Sequence, residues 1–286
     1  MKIKFGTSGW RGIIAEDFTF SGVALVSQAI AKYILKSKRK KTPVIIGYDT
    51  RFLSPEFAKL SAEVLAGNKI PVLFVNTFCP TPVISYMIIK KKLAGGINIT
   101  ASHNPAEYSG LKFSPASGAP APSEVTMEIE KYIELIKEKD IKKLDFETAA
   151  SKGLIKIINP MNDYFKQIRE LINFKKIKSA KLKVVQDCMF GTSIGYLDKL
   201  LEGNVDLKLL HDFRDPLFAN RSTEPDAENL VELSKTVKKN KADIGIATDG
   251  DADRFGIIDE KGKFIPPNIV IALILEHLIK NKKLKG

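Results

Sequence analysis

The chain has 286 residues, 44% of them hydrophobic and 27% charged: enough apolar content for one large or two ordinary folded domains, and too little charge for a disordered chain. The net charge of +12 comes mainly from lysine-rich runs at 36–41, 90–92, 238–241 and 280–285. Their scatter argues against nucleic-acid binding and for a solvated surface that also draws in small anions, while the most apolar run, Ile269 to Leu275, is far shorter than the roughly 20 residues of a membrane span.

The N-terminus lacks the apolar stretch of a signal peptide, so a cytoplasmic location with no membrane partner is expected. Cys79 and Cys188 are isolated and read as small buried hydrophobes rather than as disulfide or zinc ligands. Along the chain, short β-rich runs alternate with helical patterns, which predicts an α/β fold. Ser21 is expected to cap a helix running to about Lys36, followed by a strand over Val44 to Tyr48. Ser54-Pro55 and Thr81-Pro82 each pair a capping residue with a first-turn proline, the pattern of a helix start. Between them Gly67 ends a helix and Pro71 to Val75 forms a strand. A strand over Gly96 to Thr100 follows, then a long helix capped by Ser123. The stretch from Lys139 to Pro160 is weakly periodic and carries the predicted boundary between domains 1–150 and 151–286.

The second half repeats the alternation. Strands are expected over Lys183 to Gln186, Val205 to Leu210 and Ala242 to Ala247, with helices over Ile194 to Leu201 and Ala227 to Lys239. Phe255 to Ile258 and Phe264 form a hairpin about the turn at 260–263, and a last helix begins near Pro267. The fold class is therefore two tandem three-layer α/β/α domains with mixed sheets and similar topology.

Two segments stand at the carboxyl ends of predicted strands, where open α/β sheets bind ligands. Thr100-Ala101-Ser102-His103-Asn104-Pro105 offers an exposed serine nucleophile backed by His103. Asp249-Gly250-Asp251-Ala252-Asp253-Arg254 alternates three aspartates, which in an extended loop share one face. Their repulsion calls for a hard cation, and the all-oxygen donors suit Mg2+. A calcium EF-hand is excluded, because Arg254 occupies the position that needs glycine and the flanks read as strands. Gly6-Thr7-Ser8-Gly9-Trp10-Arg11-Gly12 can present backbone N–H groups to a phosphate, with Thr7 and Ser8 as phosphate-binding candidates and Arg11 as a bidentate one. Lys112, ten residues beyond Ser102, is a candidate acid/base or phosphate clamp. Asp187, His211 and the Arg214-Asp215-Pro216 turn also lie at strand ends but read as ordinary loops.

The ordered trio GTSGWRG, TASHNP and DGDADR resembles the α-D-phosphohexomutases, the phosphoglucomutase/phosphomannomutase superfamily, over essentially the whole chain. The resemblance implies interconversion of hexose 1-phosphate and hexose 6-phosphate through a phosphoserine, Ser102, and a hexose 1,6-bisphosphate intermediate. It implies Mg2+ on Asp249, Asp251, Asp253 and a Ser102 phosphate oxygen. It also implies that Arg11, His103, Lys112 and Arg254 line the phosphoryl site. Ser109 stands where the family usually has asparagine. The residue before Ala-Ser-His ranks the glucose and mannose branch above the glucosamine mutases. The chain resembles only the first two of the family's four domains, so a truncated chain of little activity, or one whose C-terminal domains lie on the same or another chain, is expected. A metal-dependent phosphatase and a non-catalytic sugar-phosphate-binding module are the alternatives.

Overall fold

The alternating patterns resolve into two α/β units in series in the computed structural model, which describes residues 3–6 and 9–283. The first contains β1 (Trp10–Ile13), α1 (Phe20–Lys36), β2 (Val44–Tyr48), α2 (Ser54–Gly67), β3 (Val72–Val75), α3 (Thr81–Lys90), β4 (Gly95–Ile99), β5 (Tyr108–Pro115), α4 (Ser123–Leu135), α5 (Phe146–Ser151) and β6 (Ile155–Ile158). There follow α6 (Met161–Leu171), α7 (Phe174–Ala180), β7 (Lys183–Asp187), α8 (Leu197–Leu201), β8 (Asp206–Leu210), α9 (Val231–Asn240), β9 (Ile244–Thr248), β10 (Phe255–Asp259), β11 (Phe264–Ile265) and α10 (Pro267–Lys282).

Both sheets are mixed and share a scheme. The first runs β1-β5-β4-β2-β3-β6 and the second β11-β10-β9-β7-β8. In each, parallel strands form the body and antiparallel strands one edge. The alternation of side chains along β2 sorts the core. Val44 and Ile46 face a cluster with Val26 and Ile30 of α1, Phe57 and Leu65 of α2 and Ile129 of α4. Ile45 faces the other way, toward Ile84, Met87 and Ile88 of α3. That second cluster also takes in Phe165 of α6, Tyr196 just before α8 and Leu200 of α8, so one apolar core bonds the two units. In the second unit α9 packs Leu233 and Val237 on Val185, Ala247 and Ile258.

Several element ends differ from expectation. Thr19, not Ser21, caps α1: its backbone is extended and its Oγ1 accepts the Gly22 N–H, the geometry a cap requires. Ser123 is the first helical residue behind an extended Pro122 and makes no capping bond. The helix expected from Ala227 starts at Val231, because the Asp226 carboxylate accepts the Glu228 and Asn229 N–H groups and holds a turn there. The helix expected from Ile194 starts at Leu197. The first sheet also runs past residue 150: β6 pairs in parallel with β3. It is an edge strand with only Ile155 buried, so its sequence shows no clean alternation.

Both cysteines are free and buried, as expected. The last helix, α10, has no buried residue and exposes Ile271, Leu273, Ile274 and Leu275. Among the described residues, no helix is long and apolar enough to cross a membrane.

Candidate active site

The loops that follow β4 and β9 meet. Beyond β4, Thr100 is fully buried and its Oγ1 accepts the Ser102 N–H at 2.9 Å. Ser102 adopts a left-handed backbone, φ 54°, which a non-glycine residue holds only when its surroundings impose it. This turn aims Ser102 Oγ across the boundary between the units, where it donates to Asp249 Oδ2 at 2.7 Å. The expected partner, His103, is not the one found. Its Nδ1 lies 3.3 Å from Glu224 Oε2 of the second unit. Burial, then the Arg254 charge, lowers the His103 pKa against the pull of Glu224.

The acidic loop joins antiparallel β9 and β10. It is a tight turn rather than the extended segment expected: Ala252 is left-handed and donates its N–H to the Asp249 carbonyl. Asp249 Oδ1 accepts the N–H groups of Asp253 and Arg254, both at 3.0 Å. The outcome for the carboxylates is nevertheless convergence, with one oxygen from each of Asp249, Asp251 and Asp253 within 4.8 Å of the others. Burial, reinforced by Asp251 and Asp253, pushes Asp249 up to about 8. Burial works against the Asp251 charge too, but Lys112 and Thr81 outweigh it and hold its pKa below the ordinary carboxylate range. Lys112 Nζ donates to Asp251 Oδ2 at 2.6 Å and to Asp253 Oδ2 at 2.9 Å. Despite the desolvation of Lys112, these two carboxylates raise its pKa, so it stands there as a cation. Asp251 Oδ1 is buried with no partner among the described residues. An unpaired buried carboxylate oxygen among converging hard donors fits a divalent cation.

Arg11 on β1 donates from Nη1 to Asn104 Oδ1 of the serine loop, and its buried Nε has no partner among the described residues. Arg254 is turned to Glu224, bonding both carboxylate oxygens. Thr7 and Ser8 lie outside the described residues. A cleft of about 540 Å³ is lined by Arg11, Ser102, Lys112, Asp253 and Arg254, so the structure gathers these predicted residues on one cavity, with Asp249 and Asp251 bonded to its Ser102 and Lys112.

Two residues read as helix caps bond distant carboxylates instead, and one of them, Thr81, is a site residue. Thr81 makes no capping bond; its Oγ1 donates to Asp251 Oδ2 and accepts from Asn98 Nδ2, each at 2.5 Å. Ser54 likewise donates to Asp49 Oδ1 rather than capping α2. A Ser/Thr-Pro pair carries the same local signal in either role, because the partner is distant in sequence. Glu224 had no signal at all. Gly250 shows how closely the loops meet: a Cβ there would lie 2.7 Å from the Ser102 carbonyl oxygen and 3.3 Å from Thr223 Oγ1. Gly250→Ala is expected to destabilise the chain by about 1–3 kcal/mol through this overlap. Urea denaturation measures it, and an unchanged midpoint would show that the loops do not press together.

Residues 2–140 match the family model for phosphoglucomutase/phosphomannomutase α/β/α domain I, and residues 162–262 match the model for domain II. A probable phosphoglucosamine mutase of Methanosphaera stadtmanae is 37% identical over 90% of this chain and 55% of its own length. A phosphoglucomutase of Komagataeibacter xylinus is 29% identical over 99% and 54%. The solved Thermus thermophilus structure assigned as a phosphomannomutase superimposes with a TM-score of 0.87 at 29% identity, covering 98% of this chain and 62% of that one. The chain thus spans just over half the length of the curated relatives it matches. The low rank expected for glucosamine mutases finds no support among these relatives. The residue it rested on, Thr100, is buried with its hydroxyl committed to the Ser102 N–H, so it has no means of reading a sugar.

Proposed function

Because the chain belongs to the phosphoglucomutase/phosphomannomutase family, we propose that it carries the phosphoryl-transfer half of a phosphohexomutase, with Ser102 as the phosphoryl carrier. The observation that carries this reading is the 2.7 Å bond from Ser102 Oγ to Asp249 Oδ2 inside a converging trio of carboxylates.

Phosphoryl transfer asks a protein for alignment and charge neutralisation more than for covalent chemistry. In the forward half, a hydroxyl of a hexose phosphate attacks the phosphorus on Ser102, the P–Oγ bond breaks, and Ser102 Oγ takes up a proton. A hexose 1,6-bisphosphate leaves or turns over, and Ser102 Oγ then attacks its other phosphate and loses that proton. Asp249 Oδ2 polarises the Ser102 hydroxyl for the second step. Lys112, held as an ammonium, suits the role of proton donor or phosphate clamp; to act as a base it must first leave its two carboxylates. Arg11, which lines the cleft, suits the equatorial oxygens of the phosphoryl group. Asp249, Asp251, Asp253 and a Ser102 phosphate oxygen would hold Mg2+, which when bound neutralises the charge that develops on the serine oxygen.

The preferred hexose is glucose, mannose or glucosamine, since relatives named for glucose and for glucosamine both align. Incubation with glucose 1,6-bisphosphate and Mg2+ tests the reading: a phosphorylated chain and released hexose monophosphate are expected in equal amounts. Release of free phosphate instead would make the protein a phosphatase, and no adduct at all would remove the carrier role.

A further inference from the structure

Arg51 lies in the β2–α2 connection, not among the residues that line the cleft, and nothing in its sequence neighbourhood marks it. Its side chain is completely removed from water. A buried guanidinium is tolerated only when its donors are satisfied, and here all five N–H groups have acceptors. Nε donates to Asp49 Oδ2 at 3.0 Å. Nη1 donates to the Pro105 and Tyr108 carbonyls at 2.6 and 3.1 Å, and Nη2 to the Ser102 and Asn104 carbonyls at 2.7 and 2.6 Å. Four carbonyls of one short loop therefore converge on one planar group. Asp49 is itself fixed by the Arg51 N–H and the Ser54 hydroxyl.

The second unit reaches the same place. The Phe218 ring, fully buried, covers the guanidinium with its centre 4.8 Å from Arg51 Cζ. Arg214 donates to the Thr50 and Arg51 carbonyls at 3.0 and 3.1 Å. Thr223 Oγ1 donates to the Ser102 carbonyl at 3.4 Å.

We propose that Arg51 is the positioning residue of the carrier loop: its guanidinium sets the left-handed turn at Ser102, and Arg214 and Phe218 hold it so that the serine and acidic loops keep their register. The role rests on Ser102 being the phosphoryl carrier. A buried ion pair is weak evidence for stability, since well-packed apolar residues often replace one at no cost. What apolar residues cannot do is hold four carbonyls at fixed angles. Lysine cannot either, with three donors on a point charge in place of a planar fork.

The test compares wild type, Arg51→Lys and Arg214→Gln. Hydrogen exchange over residues 102–108 reads the loop directly, and phosphate uptake from glucose 1,6-bisphosphate, titrated in bisphosphate, reads its alignment. For Arg51→Lys with a cooperative melt retained, exchange in this segment rises at least about tenfold. Its maximal uptake rate falls roughly 100-fold while the half-saturating bisphosphate concentration stays within about threefold, because alignment and not binding is lost. Exchange and maximal rate both within about twofold of wild type overturn the proposal. If Arg51→Lys does not fold, Arg214→Gln decides: it leaves the Arg51–Asp49 pair in place, so faster exchange confined to 102–108 supports the proposal and unchanged exchange overturns it. A wild-type chain that takes up no phosphate sinks the mutase reading alone, since the exchange arm still measures what Arg51 holds.

Discussion

Ser102→Ala is expected to leave the purified chain without a phosphate adduct by intact-mass spectrometry, with or without hexose bisphosphate. The substitution removes one atom that matters. Ser102 is 1% exposed and its Oγ has Asp249 Oδ2 as its hydrogen-bond partner, so the fold loses about 1 kcal/mol of hydrogen bonding. Ser102→Gly separates the hydroxyl from the backbone, because glycine accepts the positive φ without steric cost. Both variants should lose the adduct, and glycine should melt no lower than alanine. A full adduct in either variant would place the phosphate on another residue and end the carrier assignment.

The second large effect concerns the acidic trio. Asp249 is pushed up to about 8 by burial, Asp251 and Asp253, from the ordinary 3.8 of a free aspartate. The folded chain therefore binds this proton more tightly than the unfolded chain does. Stability from this group is present below about pH 4 and is lost progressively as pH rises toward 8. Asp249→Asn keeps an oxygen for the Asp253 and Arg254 N–H groups and cannot ionise. In the absence of metal it should match wild type only near pH 4 and exceed it by a margin that grows to several kcal/mol by pH 9. Binding a divalent cation displaces the proton, so the rise in wild-type melting temperature caused by Mg2+ should grow from pH 6.5 to pH 8.5. Asp249→Asn should show almost no such rise. Thermal melts across pH with Mg2+ or EDTA measure both arms. A variant still stabilised by Mg2+ as strongly as wild type would remove Asp249 from the metal site.

Much of this chemistry was written in contiguous segments. Asp249, Asp251 and Asp253 converge because a six-residue stretch between two strands contains them, and no distant contact is needed for that. Ser102 sits beyond β4 for the same local reason, since a β-rich run followed by small polar residues reads as a strand end. The mixed α/β layout followed from patterns of period two and period 3.6, which each element carries within itself. An edge element such as β6 lacks such a pattern, because only Ile155 of its residues is buried.

Partner choice was decided elsewhere. Thr81 and Ser54 carry hydroxyls that look like helix caps in one dimension and bind Asp251 and Asp49 in three. His103 faces Glu224 and leaves the serine to Asp249. Arg51 carries no local signal, and only the fold closes four carbonyls from residues 51 to 57 positions away around it. Sequence by itself determined which groups could donate, accept, ionise or bind a hard cation, because those are properties of single residues and their neighbours. Only the tertiary structure decided which of them meet, because a hydrogen bond or ion pair depends on distances that the two units set by packing α3 against α6 and α8.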